Sequence, residues 1–260
     1  MSEEVCSDEE ETTPSKSSTE CYQRDTNSTS GSCALDSLLG GGLFRSSVTD
    51  VFGAAATGKT QFAFQNAALT CSSYLYSDHK LGPEAASRPV VVFVDCAGSF
   101  RPERIAEMAS SRGYNAAGIL ELISSIAVRT VSEQRRASEA VLNDDKFSRC
   151  RLLIVDDVTN NFIAQLNEPE QLIERQFLLS NYLRRLSYIS LRRGFSTLLT
   201  NSVRSRAELG VDETAGRLLS QFAYYRLRFG RDGRTRYAVV EQPLEARKRT
   251  TFEIETAGIP

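Results

Sequence analysis

Gly53-Ala54-Ala55-Ala56-Thr57-Gly58-Lys59-Thr60, preceded by Val48-Thr49-Asp50-Val51-Phe52 and followed by Gln61-Phe62-Ala63-Phe64, decides the fold. It matches Gly-x-x-x-x-Gly-Lys-Ser/Thr at every defined position. The apolar, β-branched run Val48 to Phe52 predicts a strand, and Gln61 to Cys71 predicts a helix. A glycine-rich turn between a strand and a helix lets backbone N–H groups and the helix N-terminus wrap phosphate oxygens. Lys59 then neutralises the β and γ phosphates of a nucleotide, and Thr60 holds Mg²⁺. Gly53, Ala54, Ala55, Ala56, Thr57, Gly58, Lys59, Thr60 and Gln61 are therefore the candidate nucleotide cradle. A functionless βα turn requires neither the lysine nor the threonine after its second glycine.

Downstream, Leu152-Leu153-Ile154-Val155-Asp156 is an apolar strand ending in a carboxylate. Taken alone, an aspartate there is a common turn residue. Behind a P-loop it becomes the Walker B candidate that orients the magnesium water shell across from Thr60. Further strands are expected over Val90 to Asp95 and Thr197 to Thr200. Helices are expected over Pro102 to Arg112, Thr130 to Leu142 and Glu170 to Arg193, the last with Leu172, Phe177, Leu183 and Leu186 in its apolar stripe. This alternation predicts an α/β domain with a mainly parallel central sheet flanked by helices. Short strands over Ala223 to Phe229, Arg236 to Glu241 and Thr251 to Glu255 then predict a C-terminal antiparallel extension of the same sheet.

Composition narrows the class. The 260 residues are 41% hydrophobic and 25% charged, enough for one large globular core. Apolar runs such as Val90 to Val94 fall far short of the roughly 20 residues a bilayer span needs, so a soluble protein is expected. Six scattered cysteines without a Cys-x-x-Cys pair, and one histidine, His79, point away from a zinc site and towards a reducing compartment. The acidic start lacks an apolar core segment and does not read as a secretory signal. An intracellular location follows: the nucleus for a eukaryote, cytoplasm or nucleoid for an archaeon. The net charge of −2 is uneven, because residues 1–30 hold eight acids against Lys16 and Arg24. That Ser/Thr-rich stretch is expected to be a disordered tail before a domain over 31–260, serving solubility, a regulated contact or a shield over basic surface.

A P-loop alone fits kinases, GTPases and many motors. Several blocks, in order, resemble the RecA/RadA strand-exchange recombinases: Ser32 to Gly42, Phe52 to Gln61, Val92 to Arg104 with Phe100-Arg101-Pro102-Glu103-Arg104 inside it, Glu174-Arg175-Gln176, Thr200-Asn201-Ser202-Val203 and Arg226 to Phe229. The resemblance spans roughly 29 to 260. It implies a RecA-like core that binds ATP and Mg²⁺ and forms oligomers with the nucleotide near a subunit boundary. It also implies that Arg104 packs on adenine, as a planar guanidinium stacks well on a flat base.

Three departures from that pattern matter. Where the family carries a glutamate that polarises the attacking water, this chain has Asp95-Cys96-Ala97-Gly98; Ala97 can neither accept a proton nor orient a water. Impaired hydrolysis is the expectation, with Asp95, Asp156 or Asp157 as candidate substitutes. The family's Thr-Asn-Gln sensor reads Thr200-Asn201-Ser202, which puts coupling between ATP and DNA in doubt. No phenylalanine precedes Phe44, so assembly through a Phe-x-x-Ala linker motif is not expected. This combination is most similar to accessory paralogues of the archaeal RadB type.

DNA contact is expected from the loop after Val203, with Arg204 and Arg206. Arg184, Arg185, Arg192, Arg193, Arg226, Arg228, Arg231, Arg234, Arg236 and Arg247-Lys248-Arg249 are further phosphate candidates, although such clusters are also ordinary solvated faces. The segment Asn160 to Asn167, where another DNA loop is implied, has no basic residue. The expected partners are single-stranded DNA, bound weakly and without sequence preference, and a RecA/RadA-family recombinase or paralogue. Three functions stay open: an ATP-binding mediator or accessory in homologous recombination and DNA repair, an active DNA-dependent ATPase with a substitute carboxylate, and a non-catalytic scaffold that docks on a recombinase without touching DNA.

Overall fold

The computed structural model describes residues 27–77, 88–206, 210–213, 215–243 and 248–260. Most of the expected tail, His79 and Arg247 lie outside them. Asn27–Ser28 (β1) pairs with Leu43–Phe44 (β2), and Ser30 is fully buried. Asn27 and Ser28, inside the expected tail, are held by backbone pairing, and Ser30 by bonds to Asp36 and Gln65, not by apolar side chains. Between β1 and β2 lies α1 (Cys33–Leu38), capped by the Ser32 hydroxyl, which accepts from the Leu35 N–H.

The main sheet runs β11-β10-β9-β3-β7-β6-β4-β5, with β8 added to β7. Its strands are β3 (Val48–Gly53), β4 (Val91–Asp95), β5 (Ile123–Ala127), β6 (Leu152–Asp156), β7 (Ser196–Arg206), β8 (Gly210–Glu213), β9 (Tyr225–Asp232), β10 (Thr235–Gln242) and β11 (Arg249–Phe252). From β9 across to β5 the strands are parallel; β10 and β11 are antiparallel. The expected α/β architecture and its antiparallel extension are both present.

Strand alternation splits the core into two layers. Val91 and Phe93, with Leu152 and Ile154, face one helical layer, whereas Val92 and Val94, with Leu153 and Val155, face the other. The first layer holds α2 (Lys59–Tyr76), α3 (Pro102–Ser111) and α4 (Ala116–Glu121); the second holds α5 (Val131–Asn143), α6 (Asn160–Gln165), α7 (Leu172–Arg193) and α8 (Gly216–Phe222). Thr130 starts α5 by accepting from the Glu133 N–H, and Gly194 ends α7 in the left-handed conformation.

Three expectations need correction. Leu172 and Phe177 do not join the core: they are 41% and 64% exposed, and the buried face of α7 begins at Leu179. A helix of 22 residues is about 33 Å long, and along its first two turns only Arg175 and Leu178 are partly buried. The chain after Val203 is not a loop at once either. β7 continues to Arg206 and pairs antiparallel with β8, Arg204 opposite Asp212 and Arg206 opposite Gly210. The segment expected to carry a second DNA loop is instead helix α6, with Asn161 and Phe162 buried.

The C-terminal residues tie the first layer together. Gln65 of α2 donates to Ser30 O and Ile259 O and accepts from the Ile259 N–H, while Arg112 donates to Ala257 O and Ile259 O. Glu255 and Gly258 form the tight turn that brings Ile259 back into the core.

Candidate nucleotide-binding site

β3 delivers the chain into the P-loop at the C-terminal edge of the sheet, between β7 and β9. A Cβ on Gly53 would lie 2.1 Å from the Phe229 carbonyl oxygen, so only glycine lets β3 run this close to β9 there. Gly58 is the N-cap of α2 in a left-handed conformation, and no side chain caps the helix. The first N–H groups of an 18-residue helix therefore face the cradle with no side-chain acceptor of their own, the arrangement that fits an anion.

Lys59 is largely buried, and its ammonium donates to Gly53 O at 2.8 Å and Ala54 O at 2.9 Å. Burial pulls its pKa below the ordinary lysine value, opposed by the carboxylates of Asp157 and Asp156. Thr60 Oγ1 donates to Asp156, 3.1 and 3.2 Å from its two oxygens. Ser99 and Thr200 also donate hydroxyls to Asp156. Burial pushes the Asp156 carboxyl above the usual range, and the three hydroxyl bonds oppose that shift. The structure thus brings Thr60 and Asp156 together from α2 and β6. Ser99 stands in a resembling block without an assigned role, and Thr200 was placed only in the sensor; their approach to Asp156 depends on how β4, β6 and β7 line up side by side, which local sequence does not encode.

Asp95 has a different task. Its Oδ1 accepts from the N–H groups of Ala97, Gly98 and Ser99, and its Oδ2 from Phe100 N–H. It folds the loop around Ala97, and both of its oxygens are engaged by backbone N–H groups. Asp157, at φ +59°, accepts from the Ser202 hydroxyl at 2.9 Å, and its N–H donates to Thr200 Oγ1. The shortened sensor therefore binds Asp157. Asn201, the next sensor residue, accepts from Thr159. Cys96 is buried, its thiol pushed well up by desolvation and by the carboxylates of Asp156, Asp157 and Asp95, so it is an inert packing residue.

A cavity of about 380 Å³ opens over the loop, with Ala56, Gly58, Lys59 and Thr60 on one wall and Arg236 and Ile254 on the other. Arg104 stands beside Gln61, donating to Gln61 Oε1 at 2.8 Å, to the carbonyls of Thr256 and Glu255, and to Glu107. These in-plane bonds fix the guanidinium orientation. Sequence reasoning grouped Arg236 with DNA-facing cations, yet it shares strand parity with the core residues Ala238 and Val240, a signal that pointed inwards.

Other expected phosphate contacts fare differently. Arg226 is buried and pairs with Asp50 at 3.0 Å, Arg228 pairs with Glu241 at 2.7 Å, and Arg231 donates to Gly233 O. Arg249 lies over the Tyr237 ring at 4.2 Å. The backbones of Arg204 and Arg206 lie in the β7–β8 hairpin; their side chains are outside the described residues. Among the described residues, no helix is long and apolar enough to cross a membrane.

Comparison with known proteins fits this site. A "DNA repair and recombination protein RadA" of Cenarchaeum symbiosum is 27% identical over 89% of this chain and 58% of its own length. A "Meiotic recombination protein DMC1 homolog" of Glycine max is 31% identical over 89% of this chain and 67% of its own. A "DNA repair protein RAD51 homolog B" of Zea mays is 25% identical over 89% and 68%. The chain thus spans little more than half the length of the first of these relatives. The sequence model of the Rad51 family matches residues 23–260, and with the P-loop, Asp156 and the strand order arranged as described, this chain belongs to the Rad51 family.

Proposed function

We propose that the protein binds ATP with magnesium at the P-loop and acts in homologous recombination and DNA repair, as a mediator or accessory to a principal recombinase, with its own hydrolysis impaired. The recombination role is supported by the relatives, whose names carry recombination or repair. The fit to a nucleotide rests on the uncapped α2 N-terminus, the glycine cradle and the Lys59, Thr60 and Asp156 set. Gly53 to Gln61 grip the phosphates, Arg104 offers its face to the base, and Thr60 and Asp156 hold the ion. Mg²⁺ held between Thr60 and Asp156 would neutralise part of the phosphate charge.

The single observation that carries impaired hydrolysis is the state of the carboxylates. Ala97 has none, Asp95 is spent on four backbone N–H groups, and Asp156 already accepts from three hydroxyls. Asp157 favours the second reading, an active ATPase, because it lies within electrostatic reach of Lys59 and holds a strained left-handed backbone. The site of action is intracellular. The expected partners are a recombinase of the same family and, weakly, single-stranded DNA through Arg204 and Arg206.

Steady-state ATP turnover with magnesium, with and without single-stranded DNA, tests this against Lys59→Ala. The expected result is wild-type turnover no faster than the mutant's, with ATP binding lost only in the mutant. DNA-stimulated turnover well above the mutant transfers the assignment to Asp157. Wild-type protein that neither binds nor turns over ATP leaves only the scaffold.

A further inference from the structure

The P-loop pattern accounts for one cation over the phosphates, and the cavity holds a second. Arg236 sits on β10 opposite Phe252 of β11 and turns to the inner face of the sheet. Its Nε is 3.4 Å from Ala56 O, and its Cδ is 3.8 Å from where a Cβ on Gly58 would stand. It is partly exposed, and among the described residues no carboxylate pairs with it, in contrast to Arg226 with Asp50 and Arg228 with Glu241 on the other face of the same strands. An arginine without an acidic partner, held by its stem on an apolar strand face and aimed into an uncapped helix N-terminus, is placed for an anion.

We propose that Arg236 is a second phosphate-binding residue of the nucleotide site, supplied within the same chain by the C-terminal extension. Asp156, Ser99 and Thr200 gather at the Thr60 end, and none of them lines the wall formed by Arg236 and Ile254. Arg236 is therefore assigned to the phosphates that ATP and ADP share, not to the terminal one. This assignment rests on the nucleotide-binding reading above and adds a residue outside the P-loop to it. One consequence is that the last strands of the sheet sense whether nucleotide is present.

Calorimetric titration of the full chain with ATP and with ADP, each with magnesium, tests the assignment. Arg236→Gln keeps the stem and removes the charge, Arg236→Lys restores a charge, and Lys59→Ala serves as reference; unfolding midpoints without nucleotide check that each variant folds. The expected result is a loss of about 10- to 100-fold for both ATP and ADP in Arg236→Gln, partly recovered in Arg236→Lys. Wild-type affinity for both nucleotides in Arg236→Gln overturns the proposal, as does a loss confined to ATP. Wild-type protein that binds neither nucleotide overturns the nucleotide-binding reading itself, a result distinct from an Arg236 failure because it precedes any substitution.

Discussion

At Ala97 the loop around the missing carboxylate is intact: Asp95 still gathers the N–H groups that shape it, and Ser99 still reaches Asp156. A carboxylate returned to that position meets a formed site. Positioned general bases contribute about 10²–10⁴-fold, so Ala97→Glu is expected to raise turnover by about 100-fold or more over wild type under the same assay. An unchanged rate would mean that the Ser202–Asp157 contact, and not Ala97, limits the chemistry. Asp50 offers a second test. Its carboxyl is pushed up to about 6, mainly by burial, with the Arg226 charge opposing. A raised value means that the native chain holds this proton more tightly than the unfolded chain. The stability this gives is present at acid pH and lost as pH rises from 3.8 through about 6. Arg226→Met leaves the charge alone in the core. Denaturant midpoints should then show a loss of about 3–5 kcal/mol near pH 7.5 and a smaller loss near pH 5; equal losses at both values would refute this.

Among the elements, those with a strong period were legible. β4 and β6 were placed within a residue because both faces of each are buried and their apolar runs are unbroken. α7 was read as a helix, but its stripe was drawn two turns too far, since periodicity reports which face is apolar and not where packing stops. Leu186→Ala removes a fully buried side chain and should cost about 2–5 kcal/mol, while Phe177→Ser, at 64% exposure, should stay within about 0.5 kcal/mol. Chemical denaturation of the two variants checks the contrast, and comparable losses would mean that the first turns of α7 are covered in solution. β1, β2, β5, β8, α1, α4, α6 and α8 went unread. Each has at most seven residues, and the pattern of β5, Ile123-Ser124-Ser125-Ile126-Ala127, is too polar for a buried strand because it lies at the sheet edge.

For the whole molecule, fold class and the P-loop candidates could be read directly, because a phosphate cradle is a local object and its residues are contiguous; Asp156, 96 residues beyond Thr60, was marked by the apolar strand that ends on it. The outer wall of the site could not. Arg236, on β10, and Ile254, just past the end of β11, reach the loop only through sheet order, more than 170 residues downstream of the glycines they cover. That order has a further consequence, in time instead of space. β3, which carries the cradle, takes both of its neighbours, β7 and β9, from residues 196–206 and 225–232. A chain leaving the ribosome presents β3 before β7 and β9, with two open edges and no partner for either, and non-local pairing of this kind is slow. β3 is thereby translated well before both of its neighbours and assembled only once they arrive, and until then its apolar strand depends on whatever escorts the nascent chain.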